Sequence, residues 1–175
     1  AASLPNTDPV RKISIISRGQ AGGYTLKLPS EDKHLKTKTE FEEEIAVLLG
    51  GLVAEKLIFK DVTTGPSNDL EKASEIARAI VKQFGMSEKL GPVTFGERGQ
   101  FSFLPSTGER QNYSDETAAE IDKEVSKLIQ QGQKVAERTL KQKKKMLDKI
   151  AAVLIEKETI ERAEFEKLVG KNKRV

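Results

Sequence analysis

The first apolar pattern along the chain has a period of two, which is typical of β-strands. Alternate apolar residues share one face in each of two segments: Ile13 and Ile15 in the first, and Tyr24, Leu26 and Leu28 in the second. Glycines between the segments supply turn residues. The pattern predicts an antiparallel pair of strands between Arg11 and Leu28, ended by Pro29.

After a polar connection the period changes to that of a helix. Two capping boxes fit the start of this helix, Thr37 with Glu40 and Thr39 with Glu42, so the pattern does not determine the residue at which the helix begins. The apolar stripe predicted to face the core consists of Phe41, Ile45, Leu48 and Leu52. Gly50 and Gly51 interrupt this stripe at a cost of about 1 kcal/mol each relative to alanine. We interpret this glycine pair as a site of close helix packing.

A second helix is predicted to follow the turn TTGPSND at residues 63–69, and Gly85 is placed to cap its end. Its predicted buried face consists of Leu70, Ala73, Ile76, Ala77, Ile80, Val81 and Phe84. The next segment has the composition of a loop, in which residues 93–95 and 101–104 are candidate short strands.

From Ser114, a favourable N-cap residue, the sequence is helical almost to its end. One stripe consists of Ile121, Val125, Leu128, Val135 and Thr139, and a second, out of phase with it, of Leu147, Ile150 and Leu154. The change of phase predicts a break near residues 140–145 and an antiparallel pair of helices. A short last helix is expected between Thr159 and Gly170.

These elements predict a mainly α-helical (α+β) fold, a helical bundle with a small antiparallel sheet near the N-terminus. The 175 residues suit one domain, and 37% hydrophobic with 33% charged residues fits a soluble helical protein. No apolar run approaches the roughly 18–20 residues that span a membrane. The chain opens with Ala-Ala and its first methionine is Met86, so we interpret it as a piece of a longer polypeptide.

Charge and cysteine content exclude some classes of site. The 30 basic residues are interleaved with 27 acidic ones, so no nucleic-acid partner is expected. The run KQKKK at 141–145 lacks interleaved aromatic residues, and we interpret it as a solvated helix end. The absence of cysteine excludes disulfides and thiolate metal sites.

Asp69 is the carboxylate with the most unusual position. It lies in the predicted first turn of a helix, beside Leu70, so it borders the apolar face. One interpretation is a capping or dipole-stabilising aspartate that contributes about 0.3–1 kcal/mol. The other is one ligand of a site whose remaining ligands lie elsewhere. His34, the single histidine, lies in a polar connection and is interpreted as a solvated loop residue.

Four long segments follow one another along the chain and together reach from about Asp8 to Leu168. They are DPVRKISIISRGQAGGYTLKLP, LLGGLVAEKLIF, VTTGPSNDLEKASEIARAIVKQFGMSEKLGPV and EKETIERAEFEKLV. These segments resemble the FtsH family of membrane-anchored, hexameric AAA ATP-dependent zinc metalloproteases. Motifs of this length are far more specific than a short pattern.

The resemblance implies a zinc site and a role for Asp69. In the family, two histidines of an HExxH helix and an aspartate of the TTG…ND segment hold the zinc, and the aspartate matches Asp69. This sequence contains no HExxH, so the catalytic glutamate and two of three ligands are absent. We interpret AASLPNTDP as the end of that helix. The chain alone is therefore predicted to be catalytically incompetent and not to retain zinc.

The resemblance also implies an organisation and partners. Residues 1–113 would form the metal-site and substrate half of an N-terminally truncated peptidase domain, and residues 114–170 a helical part that makes subunit contacts. The parent would be a hexamer anchored in a bacterial inner membrane at its cytoplasmic face, or in an organellar equivalent. Its ATP would bind an AAA module, which is absent here because no GxxxxGK[ST] pattern occurs. Its substrates would be unfolded or membrane proteins.

An exposed strand edge would suit a protease that binds extended substrates through their backbone. The candidate edge residues are Gly22, Gly23, Tyr24, Thr25, Leu26, Lys27 and Leu28. An ordinary hairpin strand that covers the core is the alternative. For the whole chain, the alternative function is a non-catalytic (pseudoprotease) assembly module, and a third is a basic helical scaffold unrelated to proteolysis.

Overall fold

A computed structural model describes residues 1–17, 23–27, 35–96 and 112–170. Its elements in chain order are β1 (Val10–Ser14), β2 (Tyr24–Lys27), α1 (Lys38–Leu48), α2 (Gly50–Ile58), α3 (Ser67–Lys82), α4 (Asp115–Gln142), α5 (Lys144–Lys157), β3 (Thr159–Glu161) and α6 (Arg162–Val169). The predicted mainly α-helical fold with a small antiparallel sheet is confirmed.

The described strands form one antiparallel sheet in the order β2-β1-β3. The predicted pairing of β1 with β2 is confirmed: Ile13 lies opposite Thr25, and a bulge falls between Val10 and Lys12. Pairing of β3 with the other edge of β1, with Ile13 opposite Ile160, was not predicted. Three residues are too few to show a period of two.

The first core lies among α1, α3 and α4. Its buried residues are Ile45, Leu49, Ala73, Ala77, Ile80, Val81, Ile121, Val125 and Leu128. Most of the predicted α3 face is confirmed, but Phe84 stays 45% exposed and stacks on Phe41 at 5.2 Å between ring centroids. In the predicted α1 stripe, Ile45 is fully buried as expected, whereas Leu49 is buried where Leu48 is only partly so.

A second core joins the sheet to the last two helices. Its buried residues are Val10, Leu154, Ile160 and Phe165. The predicted break is confirmed at Lys143, between α4 and α5. The expected antiparallel packing of α5 on α4 is wrong, because Leu154 of α5 belongs to the second core while α4 contributes to the first.

Helix ends follow local capping chemistry. The capping box of α1 is Thr37 with Glu40, which settles the ambiguous start. The Ser114 hydroxyl accepts a hydrogen bond from the Thr117 N–H at 3.2 Å, as expected of an N-cap. Gly85 follows α3 with φ of +60°, and the Met86 N–H donates to the Ile80 carbonyl at 3.0 Å.

Two predictions about irregular features are wrong. Beyond its own helix, a Cβ at Gly50 or Gly51 would meet no described atom within 4 Å, so this pair is not a site of close packing among the described residues. Close approach occurs instead at Gly132 of α4, where a Cβ would lie 2.7 Å from Ile45 Cγ2. Residues 93–95 do not form a strand, and residues 101–104 lie outside the described residues.

None of the described helices combines the length and apolar character needed to cross a membrane.

Candidate metal-binding aspartate and substrate edge

Asp69 is the third residue of α3, as the sequence predicted. It is partly buried, and the next residue, Leu70, packs against the first core. The N-cap of α3 is Pro66 and no side chain caps the helix. The Asp69 carboxylate makes no hydrogen bond or ion pair with any residue that the structure describes. A capping role is therefore excluded, and the carboxylate is left for the helix dipole or for a ligand.

The turn that leads to Asp69 is fastened to α2 by Glu55. The Thr63 N–H donates to Glu55 Oε2 at 2.8 Å, and the Thr63 hydroxyl donates to Glu55 Oε1 at 2.8 Å. The same hydroxyl accepts a hydrogen bond from the Gly65 N–H at 3.1 Å. No sequence pattern indicates this contact, because eight residues separate Glu55 from Thr63 across the end of a helix.

The remaining donors of a metal site are not found near Asp69. In the described ranges, no group of three or more histidine, cysteine, aspartate or glutamate side chains could hold a metal ion. His34 lies outside the described residues. A catalytic zinc takes three protein ligands, so Asp69 fits one position and cannot hold the metal alone.

The candidate substrate edge lies at one side of the sheet. Tyr24, Thr25, Leu26 and Lys27 form β2, which is an edge strand of the described sheet. Thr25 and Leu26 are exposed. Gly23 is required by close packing, because a Cβ there would lie 2.6 Å from the Ser14 carbonyl oxygen. Gly22 and Leu28 lie outside the described residues.

A cluster of carboxylates on α4 holds the segment after α3. The buried Ser87 hydroxyl donates to Glu124 Oε2 at 2.9 Å, and Lys89 pairs with Glu120. Hydrogen bonds from Lys123 and Lys89 lower the pKa of Glu120 from its ordinary 4.5 to about 2. The hydrogen bond to Glu120 raises the pKa of Lys89.

One of these carboxylates, Glu124, lies beside a groove of about 740 Å³. Glu124 lines the groove together with residues of α1, α3 and the N-terminal segment, whereas Asp69 does not. The groove and the candidate metal ligand are therefore separate features.

Residues 1–168 match the family model described as peptidase family M41, so the chain belongs to that family. The resemblance to FtsH proteins predicted from the sequence is confirmed.

Individual relatives agree over nearly the whole chain. The "ATP-dependent zinc metalloprotease FtsH 1" of Thermoanaerobacter sp. (strain X514) is 50% identical over 169 residues, 96% of this chain and 28% of the relative. A protein of the same name in Thermomicrobium roseum is 48% identical over 96% of this chain and 26% of the relative. The "ATP-dependent zinc metalloprotease FtsH" of Caldicellulosiruptor bescii is 48% identical over 95% of this chain and 27% of the relative. The chain thus spans little more than a quarter of these relatives.

Proposed function

We propose that this chain is part of the protease domain of an ATP-dependent zinc metalloendopeptidase and that Asp69 is one of its zinc ligands. The observation that carries the proposal is the Asp69 carboxylate, which has no partner among the described residues although two exposed hydrogen bonds to Glu55 hold the turn before it. The names of the relatives, ATP-dependent zinc metalloproteases, supply the metal and the reaction class.

The rest of the zinc site would come from outside this chain. The sequence has a single histidine, His34, and no HExxH pattern. When bound by three protein ligands, zinc polarises the scissile carbonyl and activates a water molecule. We propose that the chain alone does not retain zinc and is catalytically incompetent. In the whole protein, a carboxylate oxygen of Asp69 would be one of the ligands of the zinc.

The whole protein would hydrolyse unfolded and membrane-protein substrates as a membrane-anchored hexamer driven by an AAA ATPase module. The names of the relatives support the dependence on ATP. Residues 1–113 would carry the metal ligand and the substrate edge. Residues 114–170 would add helices that pack beside them and contact neighbouring subunits.

An extended substrate would add to the outer edge of β2. The support is the position of β2 at an edge of the described sheet and the exposure of Thr25 and Leu26. Backbone hydrogen bonds at such an edge bind many sequences, as a protease of broad specificity requires.

The zinc content of the full-length protein tests the metal ligand. We expect Asp69→Asn to lose zinc and peptide hydrolysis together. Asp115→Asn is the matched control: Asp115 is an exposed first-turn aspartate of α4, so its loss should cost about 0.3–1 kcal/mol of stability and no zinc. Full zinc occupancy in Asp69→Asn would overturn the assignment. A wild-type protein that binds no zinc would favour the non-catalytic assembly module.

Peptide hydrolysis by the full-length protein tests the strand edge. Thr25→Pro removes one backbone N–H, whereas Thr25→Val keeps it and changes only the side chain. We expect cleavage to fall in Thr25→Pro alone, with both variants folded by circular dichroism. Equal cleavage by the two variants would remove β2 as the substrate edge.

A further inference from the structure

We propose that Glu55 is a positioning residue for Asp69, which it places through the turn between α2 and α3. This inference rests on the proposed function, because it assumes that Asp69 binds the metal. It adds a residue that is not itself a metal ligand and that acts at a distance, because Glu55 accepts two hydrogen bonds from Thr63 and Thr63 accepts one from Gly65.

Both oxygens of the Glu55 carboxylate are used by one residue. Oε2 accepts from the Thr63 N–H and Oε1 accepts from the Thr63 hydroxyl, both at 2.8 Å. Two acceptors on one side chain fix the position and the orientation of Thr63. A glutamine would offer one acceptor and place an NH₂ donor against one of these two donors.

Thr63 connects Glu55 to the residues that immediately precede α3. Its hydroxyl accepts from the Gly65 N–H at 3.1 Å, so Glu55, Thr63 and Gly65 form one chain of hydrogen bonds. The exposed turn leaves little room at Gly65, because a Cβ there would lie 3.2 Å from Thr63 Oγ1. The next residue, Pro66, is buried and is the N-cap of α3.

The start of α3 depends on this turn because no side chain caps the helix. The Ser67 N–H donates to the Thr64 carbonyl at 3.1 Å, and the Leu70 N–H donates to the Pro66 carbonyl at 3.0 Å. These hydrogen bonds connect residues 63–66 directly to the first turn of α3, which contains Asp69. A shift of Thr63 would therefore change where the Asp69 carboxylate lies.

The test uses the full-length protein and two measurements, amide hydrogen exchange without metal and zinc affinity by competition with a chelator. Glu55→Ala removes both acceptors, and Thr63→Val removes only the hydroxyl. Thr63→Ser keeps the hydroxyl and is the conservative rescue. Glu71→Ala is the charge control, since it removes an exposed carboxylate of α3 without touching the turn.

We expect Glu55→Ala to speed exchange at the Thr63 and Gly65 amides and to weaken zinc binding by about tenfold or more, the scale found for residues that orient metal ligands. Thr63→Val should speed exchange at Gly65 and also weaken zinc binding. Thr63→Ser and Glu71→Ala should match the wild type in both measurements.

Asp69→Asn in the same series separates the two proposals. If Asp69→Asn loses zinc while Glu55→Ala binds it as tightly as the wild type, the positioning role is wrong and the ligand assignment stands. If Asp69→Asn keeps its zinc affinity, the ligand assignment fails, and the positioning role fails with it.

Discussion

At the scale of single residues, Glu120 shows how two lysines set the protonation of one carboxylate. Lys123 donates to Glu120 Oε1 at 2.6 Å, and Lys89 pairs with the same carboxylate from the segment after α3. These hydrogen bonds lower the pKa of Glu120 to about 2. A carboxyl group whose pKa is lower in the folded chain stabilises the fold above its unfolded pKa.

The first prediction concerns the pH dependence of stability. The contribution of Glu120 should be fully present above pH 4.5, its ordinary pKa, and should be lost as the pH falls toward about 2. The difference in unfolding free energy between the wild type and Glu120→Gln should therefore shrink across this window, as measured by urea denaturation at several pH values.

Glu116→Gln is the control for this series. Glu116 is an exposed residue one turn earlier on α4 and forms no ion pair within the described part of the chain. A shrinkage as large in Glu116→Gln as in Glu120→Gln would show that the two lysines do not cause the effect.

The position of Asp69 in the first turn of a helix could be predicted from the sequence, but the residues around it could not. The small-residue turn and the apolar repeat after Leu70 define the first turn of a helix, which is local information. The contact between Glu55 and Thr63 depends on the conformation of the chain at the end of α2. Side-chain periodicity does not predict this conformation. The proposed role of Asp69 as a zinc ligand could be inferred only from the resemblance to a family.

At the scale of the elements, two glycines in different helices have opposite roles. Gly132 of α4 lies where α4 crosses α1, and a Cβ there would meet the buried Ile45 side chain at 2.7 Å and Leu49 Cδ1 at 3.3 Å. Gly51 is exposed in α2, and a Cβ there would meet nothing within 4 Å. One glycine is needed for close packing and the other only weakens its helix.

The second prediction compares the two Gly→Ala variants. Gly132→Ala should lower the free energy of unfolding by about 1–3 kcal/mol, because the fully buried Ile45 has no room to move away. Gly51→Ala should raise it by up to about 1 kcal/mol through helix propensity. Denaturant midpoints measured under one set of conditions decide the signs, and a Gly132→Ala variant as stable as the wild type would contradict the packing argument.

The sequence suggested the wrong glycines for a physical reason. Gly50 and Gly51 are conspicuous because they are adjacent and interrupt an apolar stripe, which is a local property. Whether a backbone comes close depends on a helix more than 80 residues away, since Gly132 meets Ile45 and Leu49 only after α1 and α4 have packed. Helix periodicity predicted most residues of both faces, but it does not specify the point at which they cross.

At the scale of the whole molecule, the second core joins distant parts of the chain. β1 pairs with β3, and Lys12 forms an ion pair with Glu161 at 2.6 Å. The Thr159 hydroxyl donates to Ser14 Oγ at 3.0 Å. Periodicity could not predict this pairing, because β3 is three residues long and its partner lies nearly the whole chain away.

The links between the two cores are few in the part of the chain that the structure describes. Asn6 donates to Glu43 of α1 through its backbone N–H at 2.7 Å and through its amide at 3.0 Å. The N-terminal segment also lines the groove with residues of α1 and α3, and the chain continues from α4 into α5 at Lys143. A region with few buried connections to its surroundings opens at lower free energy than the whole protein unfolds. The second core should therefore be able to open while the first remains folded.

The third prediction follows from the position of Ile160, which is fully buried in the second core and at the centre of β3. Ile160→Ala removes apolar contacts and leaves a cavity, so we expect it to lower the stability of the second core by about 2–5 kcal/mol. Amide exchange in the 175-residue chain should become faster in β1 and α6 and change little in α3.

Ile155→Ala is the matched control, because Ile155 is 78% exposed on α5 and its truncation should alter neither region. Equal acceleration in α3 and α6 would mean that the two cores unfold as one cooperative unit, and the long-range β1–β3 pairing would then stabilise the helix that carries Asp69 as well as the sheet.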